Sequence, residues 1–145
     1  MNILLIFAVV WSAFIAISFW ESSVEGRNAW DKGKLGWKIR FSKNISLTRY
    51  HFFLFWIMIP LLLFLPLFVY GWDTKLFGIL LSAYFSGLVI EDFMWFVVNP
   101  VVKFSEFNKK FANYYPWIKV GKIKIPAYYI FDIGIAVLSW LFIWR

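Results

Sequence analysis

Four long apolar runs, separated by polar stretches, constrain this chain more than any other feature of its sequence. The runs cover residues 1–20, 52–70, 76–99 and 127–144, and each is close to the roughly 20 residues that a helix needs to cross a bilayer. Of the 145 residues, 62% are hydrophobic, which is more than a soluble domain of this size can bury. The pattern predicts an all-α membrane protein. We expect one integral membrane domain, residues 1–145, folded as a four-transmembrane-helix bundle.

The distribution of basic residues predicts the orientation of this bundle. Thirteen of the fifteen Lys and Arg residues lie in the polar stretches 21–51 and 101–126, and four spans place both stretches on the same side. The positive-inside rule assigns that side to the cytoplasm and leaves both termini outside. We therefore expect an integral protein of a prokaryotic plasma membrane whose basic loops contact anionic lipids. Nucleic acid is a poor candidate partner because the basic residues lie between membrane spans.

Two short segments within these basic stretches alternate apolar and polar side chains. They are residues 37–41 and residues 118–125. A period of two indicates extended structure, so the two segments could pair with each other as a small interfacial β-ribbon.

Missing residue types exclude several kinds of site. The chain has no Cys and a single His, which excludes disulfides, thiolate metal sites and metal centres built from several histidines. His51 lies at the start of the second apolar run, where we expect an interface residue rather than a catalytic base.

Acidic residues inside the apolar runs are the main candidates for a functional site. Glu91 and Asp92 are adjacent in the third run, and Asp132 lies in the fourth. Ionisable groups at membrane depth are costly and usually face the interior of a bundle or a wet cavity. The four-span topology brings these three carboxyl groups to a similar depth near the cytoplasmic face, so we predict them to be the catalytic residues. Glu21 and Glu25 could overhang the same layer from the first span.

A carboxylate cluster at this depth has four uses. A carboxylic acid in apolar surroundings can stay protonated and act as an acid. Carboxylates can hold Mg²⁺ against a phosphate or diphosphate group, and they can couple transport to protons or cations. Alternatively, the acids are structural and pair with Arg27, Arg40 or Arg49.

Four further residues are predicted to contact a substrate. Trp95 lies one helical turn from the acidic pair, and Asn99 ends the third apolar run. Arg40 and Arg49 are basic residues of the first polar stretch, on the side where the acids are expected.

The segment Glu91-Asp92-Phe93-Met94-Trp95-Phe96, followed by Asn99, resembles the acidic-aromatic motif of small membrane domains in the heterodimeric and fused lycopene cyclases. The resemblance covers about ten residues. It implies proton-initiated ring closure of a carotenoid end group, with Glu91 as proton donor and Asp92 as stabiliser of the cation. That family usually has proline two residues before the first acid, where this chain has Val89.

The longer pattern Glu-Asp-Phe-x-Trp-Phe-x-x-Asn-Pro at residues 91–100 also resembles that of small prokaryotic membrane proteins of unassigned function. The pairs Glu25-Gly26 and Gly36-Trp37 extend this second resemblance upstream. It implies membrane location but no reaction.

The leading hypothesis is a protein that binds or processes a lipid or isoprenoid at the carboxylate cluster, with Mg²⁺ as a candidate cofactor. If it is an enzyme, the expected reaction is that of a cyclase-like isomerase or another carboxylate-driven lipid modification. The alternatives are a small homodimeric transporter coupled to protons or cations, and a non-catalytic assembly subunit that binds a partner membrane protein.

Overall fold

The computed structural model describes residues 1–29, 36–41, 46–121 and 123–145, and the fold in these ranges is mostly helical. Its first half contains α1 (Ile3–Glu25), β1 (Lys38–Arg40), β2 (Ser46–Thr48), α2 (Arg49–His51), a π-helical segment (Phe52–Met58), α3 (Ile59–Leu63) and α4 (Leu65–Val69). Its second half contains α5 (Thr74–Val98), a 3₁₀ turn (Phe104–Glu106), β3 (Trp117–Val120), β4 (Ile123–Pro126), α6 (Ala127–Ser139) and a terminal π-helical segment (Trp140–Trp144).

Within the described ranges, three helices are long and apolar enough to cross a membrane. They are α1, α5 and the continuous helix Ala127–Trp144 formed by α6 and the terminal π-helical segment. Asn2 caps α1 by accepting a hydrogen bond from the Leu5 N–H, and Asp73 caps α5 by accepting one from the Leu76 N–H. These helices have the length and hydropathy of transmembrane segments, as expected for an integral membrane protein.

The run predicted as the second span, residues 52–70, is divided into short helical segments. Pro60 and Pro66 lie in the first turns of α3 and α4, where a missing N–H costs least. The helix is interrupted at Phe64, whose φ and ψ angles are −88° and 0°. The longest helix in this region, Arg49–Leu63, is shorter than the three membrane-length helices.

Tyr84 of α5 supplies a hydrogen bond that the backbone of this divided segment lacks. The carbonyl of Phe55 would usually accept a hydrogen bond from the N–H of residue 59 or 60. In the π-helical register the Ile59 N–H donates to the Leu54 carbonyl instead, and Pro60 has no N–H. The Tyr84 hydroxyl donates a hydrogen bond to the Phe55 carbonyl. An unpaired carbonyl in an apolar environment is costly, so this bond ties the divided segment to α5.

Tyr84→Phe is therefore expected to lower the free energy of unfolding by about 1–3 kcal/mol, the usual cost of leaving a buried acceptor unpaired. Tyr70→Phe is the matched control because Tyr70 is exposed, and it should leave stability unchanged. Equilibrium unfolding of both variants in mild detergent measures the difference. Equal stability of the two variants would contradict this role of Tyr84.

Helix α5 is the centre of the bundle and packs against both α1 and α6. Trp11 of α1 donates from Nε1 to Ser86 Oγ of α5 at 2.9 Å, and Asn99 after α5 donates to the Gly26 carbonyl after α1 at 2.8 Å. These contacts show that α1 and α5 run in the same direction. On the other side, Ser82 donates to the Ala136 carbonyl and Ser139 to the Gly78 carbonyl, each at 2.8 Å, so α6 runs in the opposite direction.

A close contact in the core joins α1 and α5. Phe14 is 1% exposed, and its ring lies directly over Gly87, where a Cβ atom would come within 2.3 Å of Phe14 Cδ2. Val10, Leu54, Phe55, Ala83 and Tyr84 complete this apolar cluster. The divided segment thus packs against the two long helices through Leu54 and Phe55.

The polar stretches form two hairpins rather than one ribbon. Strand β1 pairs antiparallel with β2, and β3 pairs antiparallel with β4. Our prediction that segments 37–41 and 118–125 pair with each other was wrong. The first segment pairs with residues 46–48 and the second folds back on itself, and each of these pairings closes a much shorter loop. Residue 122 of the second segment lies outside the described residues.

An exposed ion pair joins the two polar stretches at one end of the bundle. Arg27 Nη2 lies 2.6 Å from Glu106 Oε1, and Arg27 Nη1 donates to the Val101 carbonyl at 2.6 Å. The hydrogen bonds from Arg27 lower the pKa of Glu106 below its ordinary value. The beginning of the second polar stretch is therefore held beside the end of α1.

Candidate functional site

A cavity of about 460 Å³ lies near the end of the bundle that carries the polar stretches. Carboxylates and aromatic rings form much of its wall, and apolar side chains such as Phe85 and Leu88 complete it. The acids that line it are Glu21, Glu25, Glu91, Asp92 and Asp132. The structure thus brings the three predicted catalytic acids to one cavity, together with the two acids expected to overhang it.

The cavity reaches the outer apolar surface of the bundle. Trp56 of the divided segment and Phe131 of α6 both line the cavity, and they are 59% and 63% exposed. Both residues lie in strongly apolar segments. Phe41 of the first polar stretch also lines the cavity and is 67% exposed, so the wall of the cavity reaches the surface both at the apolar side of the bundle and at its polar end.

Asp92 is held by tyrosines. Its two carboxylate oxygens accept hydrogen bonds from the hydroxyls of Tyr115 and Tyr129, one to each oxygen. Tyr115 comes from the second polar stretch and Tyr129 from the first turn of α6, so Asp92 joins three parts of the chain. With a donor on each oxygen, Asp92 serves to hold these elements in place.

The surroundings of two tyrosines in the second polar stretch, Tyr114 and Tyr115, raise the pKa of their hydroxyl groups. Burial, followed by the charge of Asp92, raises the pKa of Tyr115 well above its ordinary value. Burial and the same carboxylate also raise the pKa of Tyr114. Both hydroxyls therefore stay protonated to a higher pH than an ordinary tyrosine does, and the Tyr115 hydroxyl donates to Asp92 throughout that range.

This shift makes the stability of the protein sensitive to alkaline pH. A tyrosine whose pKa is higher in the folded chain than the ordinary value of about 10 stabilises the fold below pH 10 and loses that contribution as the pH rises. We expect the free energy of unfolding to fall above pH 10 by about 1.4 kcal/mol per pH unit for Tyr115. Tyr115→Phe should remove that part of the slope, as measured by unfolding between pH 8 and pH 11. Identical slopes for the two proteins would contradict the prediction.

Glu91, although adjacent to Asp92, points to a different part of the cavity. Its side chain is 6% exposed, and its carboxyl group lies beside that of Glu21 on α1. Among the described residues, Glu91 Oε1 has no hydrogen-bond partner. Neighbouring residues on a helix point about 100° apart, which separates Glu91 from the tyrosines that hold Asp92.

A third group of acids and a histidine lies beside Glu91. Glu21 and Glu25 are one turn apart on α1, and His51 Nε2 lies 3.4 Å from Glu21 Oε1 and 3.9 Å from Glu25 Oε1. The Tyr50 hydroxyl donates to both glutamates, at 2.9 Å to Glu25 Oε1. Burial, followed by the charges of the two glutamates, raises the pKa of Tyr50 far above its ordinary value. Tyr50 is therefore a fixed donor to this pair.

Asp132 and Trp95 also lie on the cavity wall. Asp132 is 7% exposed and comes from α6. Trp95 is buried, and its Nε1 has no hydrogen-bond partner among the described residues. Both residues are positioned to contact a bound molecule.

Three of the predicted substrate-binding residues lie elsewhere. Asn99 ends α5 and accepts hydrogen bonds from the N–H groups of Val101 and Val102. Arg40 is exposed in β1, and Arg49 is exposed at the start of α2. None of the three belongs to the described wall of the cavity.

The described residues give no support to a structural pairing of the acids with arginines. Arg27 pairs with Glu106, and no Lys or Arg belongs to the described lining of the cavity. The five acids therefore share one cavity without a described basic side chain other than His51.

Sequence reasoning did not place His51 or the tyrosines on the wall of the cavity. Two features of the sequence could have indicated this position of His51. The spacing of Glu21 and Glu25 puts two carboxylates on one helix face, and His51 lies at the same end of the next apolar run. The pair Tyr128-Tyr129 at the start of the fourth run carried no comparable signal. Comparisons with protein-family models, curated proteins and solved structures found no match for this chain.

Proposed function

We propose that this protein binds or processes a lipid or isoprenoid in the carboxylate-lined cavity. The observation that carries the proposal is the composition of the cavity wall, in which five acids lie together with Trp56 and Phe131, two residues that are also exposed on the apolar surface of the bundle. A molecule with a long apolar chain and a polar end fits this arrangement. Its chain would extend past Trp56 and Phe131 toward the apolar surface, and its polar end would lie among the carboxylates.

The proposed topology has four spans, with the divided segment as a bent second span. Support comes from the parallel directions of α1 and α5, because the chain must return once between them. Both polar stretches then lie at one end of the bundle, and their positive charge assigns that end to the cytoplasm. The cavity would open to the cytoplasmic leaflet.

The size and lining of the cavity support a small amphipathic ligand. Its volume of about 460 Å³ lies within the range of about 300–1,000 Å³ that is usual for ligand pockets. Phe55, Phe85 and Leu88 supply apolar wall, while the acids are concentrated on α1, α5 and α6. Such a division between apolar wall and a few polar groups is typical of sites that orient a ligand.

The acids would have different roles. Asp92 is engaged by two tyrosines and holds the site together, whereas Glu91 and Asp132 are the acids of the predicted set that remain available to a ligand. Either could transfer a proton or bind a polar head group. An isomerase-like reaction on an isoprenoid would use them in this way.

Photocrosslinking tests the proposal. A p-benzoylphenylalanine in place of Leu88 puts a photoreactive group in the cavity wall, and the same replacement at Phe142, which is 81% exposed, puts one on the outer surface. After irradiation in native membranes, we expect the Leu88 protein to carry one defined lipid or isoprenoid species. The Phe142 protein should carry a mixture that follows the bulk lipid composition. The same bulk mixture at both positions would contradict a selective lipid site.

A small transporter is the second candidate, and the buried acids of the cavity favour it. Carboxylates buried in an apolar bundle are typical of proton- and cation-coupled carriers. Four spans rarely enclose a pathway alone, so a homodimer would be expected. Cation-dependent solute flux in liposomes, lost in Glu91→Gln, would support this alternative over the lipid site.

A further inference from the structure

Glu21, Glu25 and His51 form a compact set of potential metal ligands. One atom from each, a carboxylate oxygen from each glutamate and a ring nitrogen from His51, can be chosen so that all three lie within 4.8 Å of one another. Two ligands of one ion lie up to about 4.4 Å apart when each metal–ligand distance is about 2.0–2.2 Å. The three side chains therefore need only small movements to share an ion.

Glu91 supplies an independent sign that something binds here. It comes from a different helix, its side chain is 6% exposed, and it lies beside Glu21. Its Oε1 atom lacks a hydrogen-bond partner among the described residues. A buried carboxylate oxygen without a partner is costly, and a cation between Glu91 and Glu21 would supply the missing contact.

The balance of charge in the cavity also favours a cation. Glu21, Glu25 and Glu91 all line the cavity, and the carboxyl group of Glu91 lies beside that of Glu21. Carboxylates that share a site in apolar surroundings repel one another strongly. A divalent ion would neutralise most of this charge.

The surroundings of His51 suit a metal ligand. Its Nδ1 atom shares a hydrogen bond with the Thr48 hydroxyl, which leaves Nε2 directed at the two glutamates. A hydrogen bond on one ring nitrogen commonly fixes the orientation of a histidine that binds metal through the other. Tyr50 similarly holds the glutamates through its hydroxyl.

We propose that Glu21, Glu25, His51 and Glu91 bind one divalent transition-metal ion of the Mn²⁺, Fe²⁺ and Zn²⁺ group. The imidazole nitrogen favours these ions over Mg²⁺, which the sequence alone suggested as a cofactor. This inference goes beyond the proposed lipid function and does not depend on it. It is incompatible with Glu91 as the proton donor, because a metal-bound carboxylate carries no proton, and it leaves Asp132 as the available acid.

Metal binding can be measured directly on the full chain in mild detergent. After removal of bound metal with a chelator, equilibrium dialysis against Mn²⁺ or Zn²⁺ should give one ion per chain. Pulsed electron paramagnetic resonance of the Mn²⁺ form should show coupling to one histidine nitrogen. His51→Gln should abolish that coupling and weaken binding by about 10–100-fold, and Glu21→Gln should weaken binding by a similar factor.

Asp132→Asn is the matched control, because Asp132 lines the same cavity but lies outside the proposed ligand set. It should bind metal like the unaltered protein. The proposal is overturned if the unaltered protein binds neither ion stoichiometrically, or if His51→Gln and Glu21→Gln both bind as tightly as the control. Metal binding and lipid crosslinking are separate readouts, so either proposal can fail without the other.

Discussion

Gly87→Ala is expected to destabilise the bundle by about 3 kcal/mol, at the upper end of the usual range for an overpacked core. The added Cβ would lie 2.3 Å from Phe14 Cδ2 and 2.5 Å from Phe14 Cε2. Phe14 is 1% exposed and packs against Tyr84, so its ring has little room to move. The new methyl group should push α1 away from α5, which we would measure as a loss of unfolding free energy in detergent.

Gly134→Ala is the matched control for this substitution. Gly134 is also a helical glycine, in α6, but nothing lies within 4 Å of its added Cβ. This variant should keep or raise the stability, because alanine is favoured over glycine in helices by about 1 kcal/mol. Phe14→Leu should restore part of the stability lost in Gly87→Ala. Equal effects of the two glycine substitutions would show that α1 and α5 do not pack as described.

Asp92→Ala is expected to lower the free energy of unfolding by about 2–4 kcal/mol. The substitution leaves the hydroxyls of Tyr115 and Tyr129 without their acceptor, and each buried donor left unpaired costs about 1–3 kcal/mol. It should also release the second polar stretch from the end of α5. Faster amide hydrogen exchange at residues 112–117, together with the lower stability, would measure this release.

The adjacent substitution Glu91→Gln should have a different outcome. Glu91 Oε1 lacks a described partner, and the change removes one of three neighbouring carboxylates without changing the size of the side chain. We expect stability within about 0.5 kcal/mol of the original, or higher, since few favourable contacts are lost. A loss of stability from Glu91→Gln equal to that from Asp92→Ala would contradict the separate roles of the two acids.

Much of the candidate site could be predicted because charge in an apolar run has few explanations. Glu91, Asp92 and Asp132 were chosen on that ground, and all three line the cavity. The rotation of about 100° between neighbouring helical residues agrees with the separate surroundings of Glu91 and Asp92. Which acid would be held by other side chains could not be predicted, because the tyrosines that hold Asp92 come from distant parts of the sequence.

The limits of sequence reasoning are clearest in the polar stretches and the divided segment. Alternation of side chains predicts extended structure but does not specify a partner strand, so the two local hairpins were missed. Pro60 and Pro66 are residues that disturb a helix interior, and α3 and α4 each begin beside one of them. The π-helical register of Phe52–Met58 and its hydrogen bond from Tyr84 depend on packing against α5, which no local pattern encodes.

Native mass spectrometry of the full chain in mild detergent tests the central claim most directly. We expect the unaltered protein to retain one defined molecule with a long apolar chain, whose mass and fragments identify its class. Leu88→Trp places a larger side chain in the cavity, so this variant should lose the molecule. Phe142→Trp changes only the outer surface and should keep it. A chain that carries no defined molecule, or that keeps the same molecule when the cavity is filled, would contradict a lipid or isoprenoid site in this cavity.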